Sequence, residues 1–246
     1  IKQGMATGLV ATSTITHATP AGFAAHVKSR GNYAEIARQL IKADVTVMLG
    51  GGRLHFLDTD NGGLQEEDLL AGLHRSGIQV ISQIGEQVSS GGRIIGLFAP
   101  EALPRAPERK PSTSEMALKA LEILEHDPDG FFLMVEESQV DWAGHANDFK
   151  YLRDEMRSLN ELCGVLLAYQ TQHPDVLLVL TADHETGGVS VAFNDQTNDL
   201  IPNWGTEHHS GNLVPIFATG PGSAAFDAVA DITFVGQTLI EYVNRR

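Results

Sequence analysis

Two stretches of this sequence concentrate side chains able to hold a cation. The first is Glu136-Glu137-Ser138-Gln139-Val140-Asp141-Trp142-Ala143-Gly144-His145, directly after an apolar run at 131–135. The second is Thr181-Ala182-Asp183-His184-Glu185-Thr186-Gly187-Gly188, directly after an apolar run at 176–180. Both runs read as buried strands, so carboxylates and imidazoles are delivered to strand ends. Gathered there without partners, those groups face desolvation and mutual repulsion. Divalent cations remove both penalties, so the chemistry implied is that of a metal-dependent enzyme.

Spacing sharpens the assignment. Asp141 and His145 are four apart, which places both on one face of a helical turn, as metal ligands or as a surface ion pair. Asp183 and His184 are adjacent and would point to opposite faces of a straight strand. Gly187 and Gly188 permit a sharp turn after them, which lets both reach one cavity; the alternative is a satisfied strand-end aspartate. A histidine of His208-His209-Ser210-Gly211, ahead of the apolar run 214–218, is either a third ligand or a solvated loop histidine. By local rules alone, Thr19 and Pro20 read as N-cap and first residue of a helix. Arg30 before Gly31 reads as a helix end with its C′ glycine.

The elements that must position these groups alternate. Strands are predicted at 7–13, 45–49, 79–82, 93–98, 131–135, 176–180 and 214–218. Helices are predicted at 33–42, 66–76, 112–126, 148–172 and 232–244, the third opened by Ser112 as cap with Glu115 three residues on. Such alternation predicts an α/β fold with a largely parallel central sheet and helices on both faces. In such sheets ligands gather beyond the carboxyl ends of the strands, where both clusters fall. Segments 54–64, 101–111 and 194–205 read as loose, the middle one as a Pro-rich, basic surface connection carrying Arg105, Arg109 and Lys110. No domain boundary is visible, so residues 1–246 read as one domain.

Composition bounds the remaining choices. With 246 residues, 42% of them hydrophobic, the chain is long enough for a sizeable core. A formal net charge of -14 argues against nucleic acid or an anionic membrane as a partner. Cys163, the single cysteine, cannot form an internal disulfide and reads as core packing. No signal peptide or long apolar span is visible, and a strand already begins near Thr7, so the chain is expected to open inside a fold. There is no nucleophile elbow, P-loop, dinucleotide fingerprint or Cys-x-x-Cys pair.

Taken together and in order, these segments resemble the alkaline phosphatase family over almost the whole chain. Thr16-His17-Ala18-Thr19-Pro20-Ala21 with Ala25-His26-Val27-Lys28-Ser29-Arg30 is similar to the family's Thr-Pro motif and phosphate-binding arginine. Glu136 to Asp148 resembles its central metal segment, 181–188 is close to a signature, and His209-Ser210-Gly211 resembles the last metal histidine and the small residues after it. The resemblance implies two zinc ions and one magnesium ion: Asp141, His145 and His209 on the first zinc, Asp183 and His184 on the second, Thr19 and Glu136 on the magnesium. It implies that Arg30 grips the phosphate, with His17 and Trp142 tuning the site from behind the ligands. The implied activity is hydrolysis of small phosphate monoesters through a phosphoserine, in a periplasmic or secreted protein that forms a homodimer. Nucleic acid and membrane are not expected partners.

Two departures qualify the resemblance. Glu137 stands where the family usually has glycine, beside a magnesium ligand, where an extra carboxylate would alter metal preference. The family's serine nucleophile, in an Asp-Ser-Ala motif, and a bridging aspartate, in a Gly-Asp-Gly-Met-Gly motif, normally precede the region matched here. Neither motif occurs in these 246 residues. Ser138 and Ser210 lie near the motifs but do not match the nucleophile position. The chain therefore reads as the carboxyl-terminal part of such an enzyme, with a sheet incomplete at its amino-terminal side and an unpaired edge, and inactive by itself. The alternatives are a phosphodiesterase or phosphomutase of the same superfamily, or a non-catalytic zinc-binding remnant.

Overall fold

A computed structural model describes residues 1–89, 91–228 and 231–244. Its contacts gather into two compact units, Ile1–Gln139 and Val140–Arg246, described in turn.

In chain order the first unit contains β1 (Ala6–Thr14), α1 (Ala18–Ala24), α2 (Tyr33–Lys42), β2 (Val47–Gly51), α3 (Leu69–Arg75), β3 (Gln79–Ile81), β4 (Ile94–Leu97), α4 (Thr113–Leu124) and β5 (Phe131–Glu136), with 3₁₀ turns at Arg53–His55 and Thr59–Asn61. The five strands form one sheet in the order β3-β4-β2-β1-β5, and every pairing is parallel. Alternation along each strand supplies two apolar faces. Leu9, Met48 and Ile95 face Ile36, Ala37 and Leu40 of α2 and Leu70 and Leu73 of α3. Val10, Val47, Leu49 and Ile94 face Met116, Ala120 and Leu124 of α4. Helices thus cover both faces, as the pattern predicts. The helix starts obey local chemistry: Ser112 and Glu115 form a reciprocal capping box on α4, and the Asn32 side chain accepts from the Glu35 amide on α2.

The second unit begins with α5 (Gln139–His145), whose first residue belongs to the preceding unit, and α6 (Phe149–Gln172), capped by Asp148, which accepts from the Tyr151 amide. Then come β6 (Leu178–Leu180), β7 (Glu185–Thr186), β8 (Ser190–Asn194), β9 (Asp199–Asn203), β10 (His209–Ser210), β11 (Phe217–Thr219), a 3₁₀ turn at Ser223–Phe226 and α7 (Ile232–Asn244). These six strands pair two by two, β6 with β11, β7 with β10 and β8 with β9, all antiparallel.

Four local expectations need correction. The runs at 131–135 and 176–180 are half-buried rather than buried, because β5 is the last strand of its sheet and β6 pairs only with β11 among the described residues. The segment 194–205 is largely ordered: β8 and β9 form a hairpin, and the Asn194 side chain accepts from the Gln196 and Thr197 amides in its turn. Pro202 within β9 disguised that strand, since proline is confined to sheet edges. A helix does start at Thr19-Pro20, but His17 is its N-cap and Thr19 lies in its first turn. Arg30 ends no helix; it sits in a turn between α1 and α2.

His55 ties the loop after β1 to its surroundings. Its Nδ1 meets the Thr16 hydroxyl at 2.5 Å, its Nε2 lies 3.4 Å from a Glu101 carboxylate oxygen, and its ring stacks on Tyr33 with centroids 4.6 Å apart. Burial pushes its pKa below the ordinary 6.5, and the Glu101 charge opposes that shift without cancelling it. The folded state thus favours the neutral ring, whereas the unfolded chain takes up a proton once pH falls below 6.5. The stability this group contributes is therefore full above 6.5 and is lost as pH falls from there through the lowered folded value. We expect the urea midpoint to decline between pH of about 7.5 and about 5.5, and His55→Gln to flatten that decline. An unchanged slope in the variant would refute the assignment.

Candidate metal centre

The carboxyl ends of the adjacent strands β1 and β5 of the first unit carry three of the sequence-predicted groups, Glu136, His17 and Thr19. Glu136 closes β5, in register with Ala11 of the adjacent parallel strand β1. Thr19 follows β1 in the first turn of α1, just after the N-cap His17. The Glu136 carboxylate accepts from the buried Ser138 hydroxyl at 2.7 Å. That hydroxyl also receives the Ser13 amide at 3.2 Å and contacts the Ser13 Oγ at 3.0 Å. Ser138 thus supports the Glu136 carboxylate. Arg30 donates to Nε2 of His17 at 3.1 Å, and with His26 and Lys28 it lines an open basic concavity beside α1.

Glu137 meets a different fate from its neighbour. Its side chain is 3% exposed and forms an ion pair with Arg109, itself 2% exposed, which also bonds the Pro104 carbonyl at 3.0 Å and the Thr113 hydroxyl at 3.2 Å. Successive side chains in an extended chain point opposite ways, so Glu136 and Glu137 serve separate neighbourhoods. The expectation of a spare carboxylate beside the magnesium ligand does not hold, because Glu137 is committed to Arg109. Nor is Arg109 part of a solvated surface connection. Truncating one partner would leave a buried uncompensated charge, so we expect Arg109→Met to cost about 3–5 kcal/mol in urea unfolding. Arg109→Met combined with Glu137→Gln should recover much of that loss.

In the second unit Asp141 and His145 lie on α5, and their i,i+4 spacing turns both to one side. His209, on β10, completes the group: one ligand atom each from Asp141, His145 and His209 lie within 4.8 Å of one another. His145 Nε2 is 3.4 Å from Asp141 Oδ1, and His209 Nε2 is 3.8 Å from the same oxygen. A tetrahedral zinc with bonds of about 2.0–2.1 Å separates its ligands by about 3.3–3.4 Å, close to this spread. The protonation pattern fits as well. His145 Nδ1 lies 2.6 Å from the Glu207 carbonyl oxygen, which can only accept. Nδ1 therefore carries the hydrogen and Nε2 presents its lone pair. Two nitrogens and a carboxylate oxygen suit zinc.

Asp183 and His184 also come together, with His184 Nε2 3.1 Å from Asp183 Oδ2. The His184 ring stacks on His209, centroids 3.6 Å apart. The turn at Gly187 and Gly188 takes φ of 95° and 57°, as expected of glycine. It is held from outside by hydrogen bonds from Gly205 and Thr206 to the Gly187 carbonyl and from the Gly187 amide to the His208 carbonyl. Glu185 braces the same turn. Burial alone would raise its pKa, but the Ser210 hydroxyl and the Val189 and Gly188 amides outweigh that and hold it below the usual range. Trp142 sits on α5 between Asp141 and His145.

The local reading did not foresee Thr186, Glu185, Ser138 and Ser13 as supports. Each is a common polar residue whose role exists only once a distant partner arrives. For all but Ser13, the one available signal was position within the segments 136–145 and 181–188.

Comparison with known proteins gives the family. The family model described as alkaline phosphatase matches residues 1–200. The chain belongs to the alkaline phosphatase family. Alkaline phosphatase 3 of Bacillus subtilis (strain 168) is 34% identical over 256 residues, spanning 100% of this chain and 52% of that protein. The repressible alkaline phosphatase of Saccharomyces cerevisiae is 34% identical over 221 residues, 76% of this chain and 39% of the other. The chain thus spans about half the length, or less, of these relatives. Among solved structures, alkaline phosphatase from the Antarctic bacterium TAB5 superposes with a TM-score of 0.89 at 32% identity, covering 100% of this chain and 74% of that one. A mutant of that enzyme, described with Mg bound in its M3 site, superposes with a TM-score of 0.85 at 30% identity, covering 99% and 73%.

Close backbone packing behind the ligands is testable. A Cβ on Gly144 would stand 2.7 Å from the Thr186 carbonyl oxygen, so α5 and β7 approach each other only because that position is glycine. Gly144→Ala should destabilise the protein by about 1–3 kcal/mol and weaken cation binding at Asp141, measured by thermal unfolding with and without zinc.

Proposed function

We propose that the protein to which this chain belongs hydrolyses phosphate monoesters with the help of two zinc ions and one magnesium ion. The observation that carries the reading is the convergence of Asp141, His145 and His209 within 4.8 Å, two nitrogens and an oxygen from elements far apart in sequence. Asp141, His145 and His209 would hold the first zinc, and Asp183 and His184 would contribute to the second. Thr19 and Glu136 would contribute oxygen to magnesium, whose preference for hard oxygen ligands and retained waters they suit. When bound, such cations neutralise charge on the attacking and leaving oxygens of a phosphoryl transfer.

The residues of this chain bind and orient. Arg30 offers two parallel N–H donors to a phosphoryl group, the geometry its planar guanidinium favours over a lysine. His17, at 3.1 Å from Arg30, restrains the direction of that fork. Ser138 keeps the Glu136 carboxylate turned to a fixed direction through its 2.7 Å hydrogen bond. The attacking serine and a bridging aspartate would come from outside these 246 residues, since neither the Asp-Ser-Ala nor the Gly-Asp-Gly-Met-Gly motif occurs in them. A periplasmic or secreted location and a homodimer belong to the same proposal by kinship with the family. Among the described residues, no helix is long and apolar enough to cross a membrane.

Two measurements test it. Zinc titration against a chromogenic chelator should show a site in the chain that His209→Ala weakens by more than about 100-fold, beyond the 10–100-fold typical of outer-sphere partners. Hydrolysis of p-nitrophenyl phosphate should be negligible for the chain alone and restored, metal-dependently, in the complete protein, with monoesters preferred over diesters. Robust turnover by the chain alone, or zinc binding indifferent to His209, would overturn the proposal.

A further inference from the structure

We infer that Trp204 is a positioning residue: its ring, packed on the Gly187 turn where α5 also closes, holds together the three segments of the second unit that carry the candidate zinc ligands. Those segments are α5 with Asp141 and His145, the turn that follows Asp183 and His184, and the strand entered at His209. The only ladder among them pairs β7 with β10 over two residues. Pairing that short does not hold three segments in place, so packing must.

The glycines mark where the segments meet. A Cβ on Gly187 would stand 2.8 Å from Cζ3 and 2.9 Å from Cε3 of Trp204, and 3.1 Å from the Gly144 carbonyl oxygen of α5. A Cβ on Gly144 would in turn stand 2.7 Å from the Thr186 carbonyl oxygen. A Cβ on Gly188 would come within 3.3 Å of the Gly205 Cα. Turn, helix and loop thus meet backbone to backbone, and glycine is what permits it. Trp204 is half-buried and is the one large apolar side chain of the loop Trp204-Gly205-Thr206-Glu207-His208. Its ring supplies the apolar cover at this contact.

Hydrogen bonds carry the effect from the ring to the ligands. The Gly205 and Thr206 amides donate to the Gly187 carbonyl at 3.0 and 3.1 Å, and the Gly187 amide donates to the His208 carbonyl at 3.0 Å. Asn147, just past α5, donates to the Gly144 and Thr206 carbonyls, both at 2.9 Å, with its amide nitrogen turned toward those oxygens. The Glu207 carbonyl oxygen lies 2.6 Å from a ring nitrogen of His145, and the Thr186 hydroxyl reaches Asp141 at 2.6 Å. The loop is therefore bonded both to the turn and to the end of α5, and it runs directly into His209. Backbone bonds in so short a ladder open readily unless apolar surface shields them. Without the ring, turn and loop would separate locally while α6 stayed folded.

The assignment of zinc rests on the function proposed above, but the packing does not, and the experiment separates them. Amide hydrogen exchange of the metal-free chain, followed by NMR, reads Gly187, Gly205 and Thr206 individually. In Trp204→Ala these amides should exchange about tenfold faster or more, with those of α6 unchanged. Trp204→Phe, which keeps a flat ring of shorter reach, should fall between the two. Zinc affinity by chelator competition should drop about 10–100-fold in Trp204→Ala and less in Trp204→Phe. Should Trp204→Ala not fold, Trp204→Leu, which keeps apolar bulk without the flat face, carries the same comparison. Unchanged exchange at the three amides in a folded variant would overturn the inference. So would faster exchange that extends through α6, the mark of an ordinary core residue, or unaltered zinc affinity where wild type binds zinc. If wild type binds no zinc while local exchange still follows the ring, the packing role stands and the zinc reading fails.

Discussion

An imidazole can hold a cation only through a nitrogen that carries no proton, so a histidine-rich site must control the far side of each ring. Several contacts in the second unit meet the far side of these rings. The Glu207 carbonyl commits Nδ1 of His145, and Thr186 bridges Asp141 and His184. The two-residue ladder between β7 and β10 is too short to matter as a sheet; it fixes the register of Thr186 against His209. Glu185 and the left-handed glycines after it fold the chain back so that the ladder can exist.

The first unit solves the opposite problem, which is to keep carboxylates from burying charge without a partner. Its parallel sheet delivers Glu136 and Glu137 together at the end of β5, and the structure separates them. Glu136 receives a neutral serine hydroxyl, which orients it while leaving its charge available. Glu137 is neutralised by Arg109, which also bonds Pro104 and Thr113. A buried pair of this kind is weak evidence for stability, since well-packed apolar residues often do as well. Its consequence is positional: it ties the start of α4 and the segment before it to the chain just beyond β5.

Membership of the alkaline phosphatase family, the supporting residues and the donor set point the same way from independent directions. The supports carry the more specific information. Ligand types alone would tolerate several metals, whereas a hydrogen bond that commits one nitrogen of a ring, as the Glu207 carbonyl does for His145, suits nitrogen ligation.

Much of the fold was legible from residue order alone. Helices α2 and α7 lie at the predicted residues, and the five parallel strands of the first unit fall within a few residues of the apolar runs that announced them. Hydrophobic periodicity and capping are local, so a sequence determines them by itself. The candidate ligands Asp141, His145, Asp183 and His184 were legible for the same reason: they follow strands or share a helical face. What only the tertiary structure decided concerns partners distant in sequence. His209 stands 64 residues beyond His145 by number, and nothing local distinguishes it from the adjacent His208; only the family resemblance singled it out, and only the fold brings it to Asp141 and His145. The fates of Glu137 and Arg109, 28 residues apart, and of Thr186 and Asp141, 45 apart, were equally invisible. A side chain declares its type in the sequence, but burial, charge compensation and proton placement exist only once another segment is within hydrogen-bonding distance.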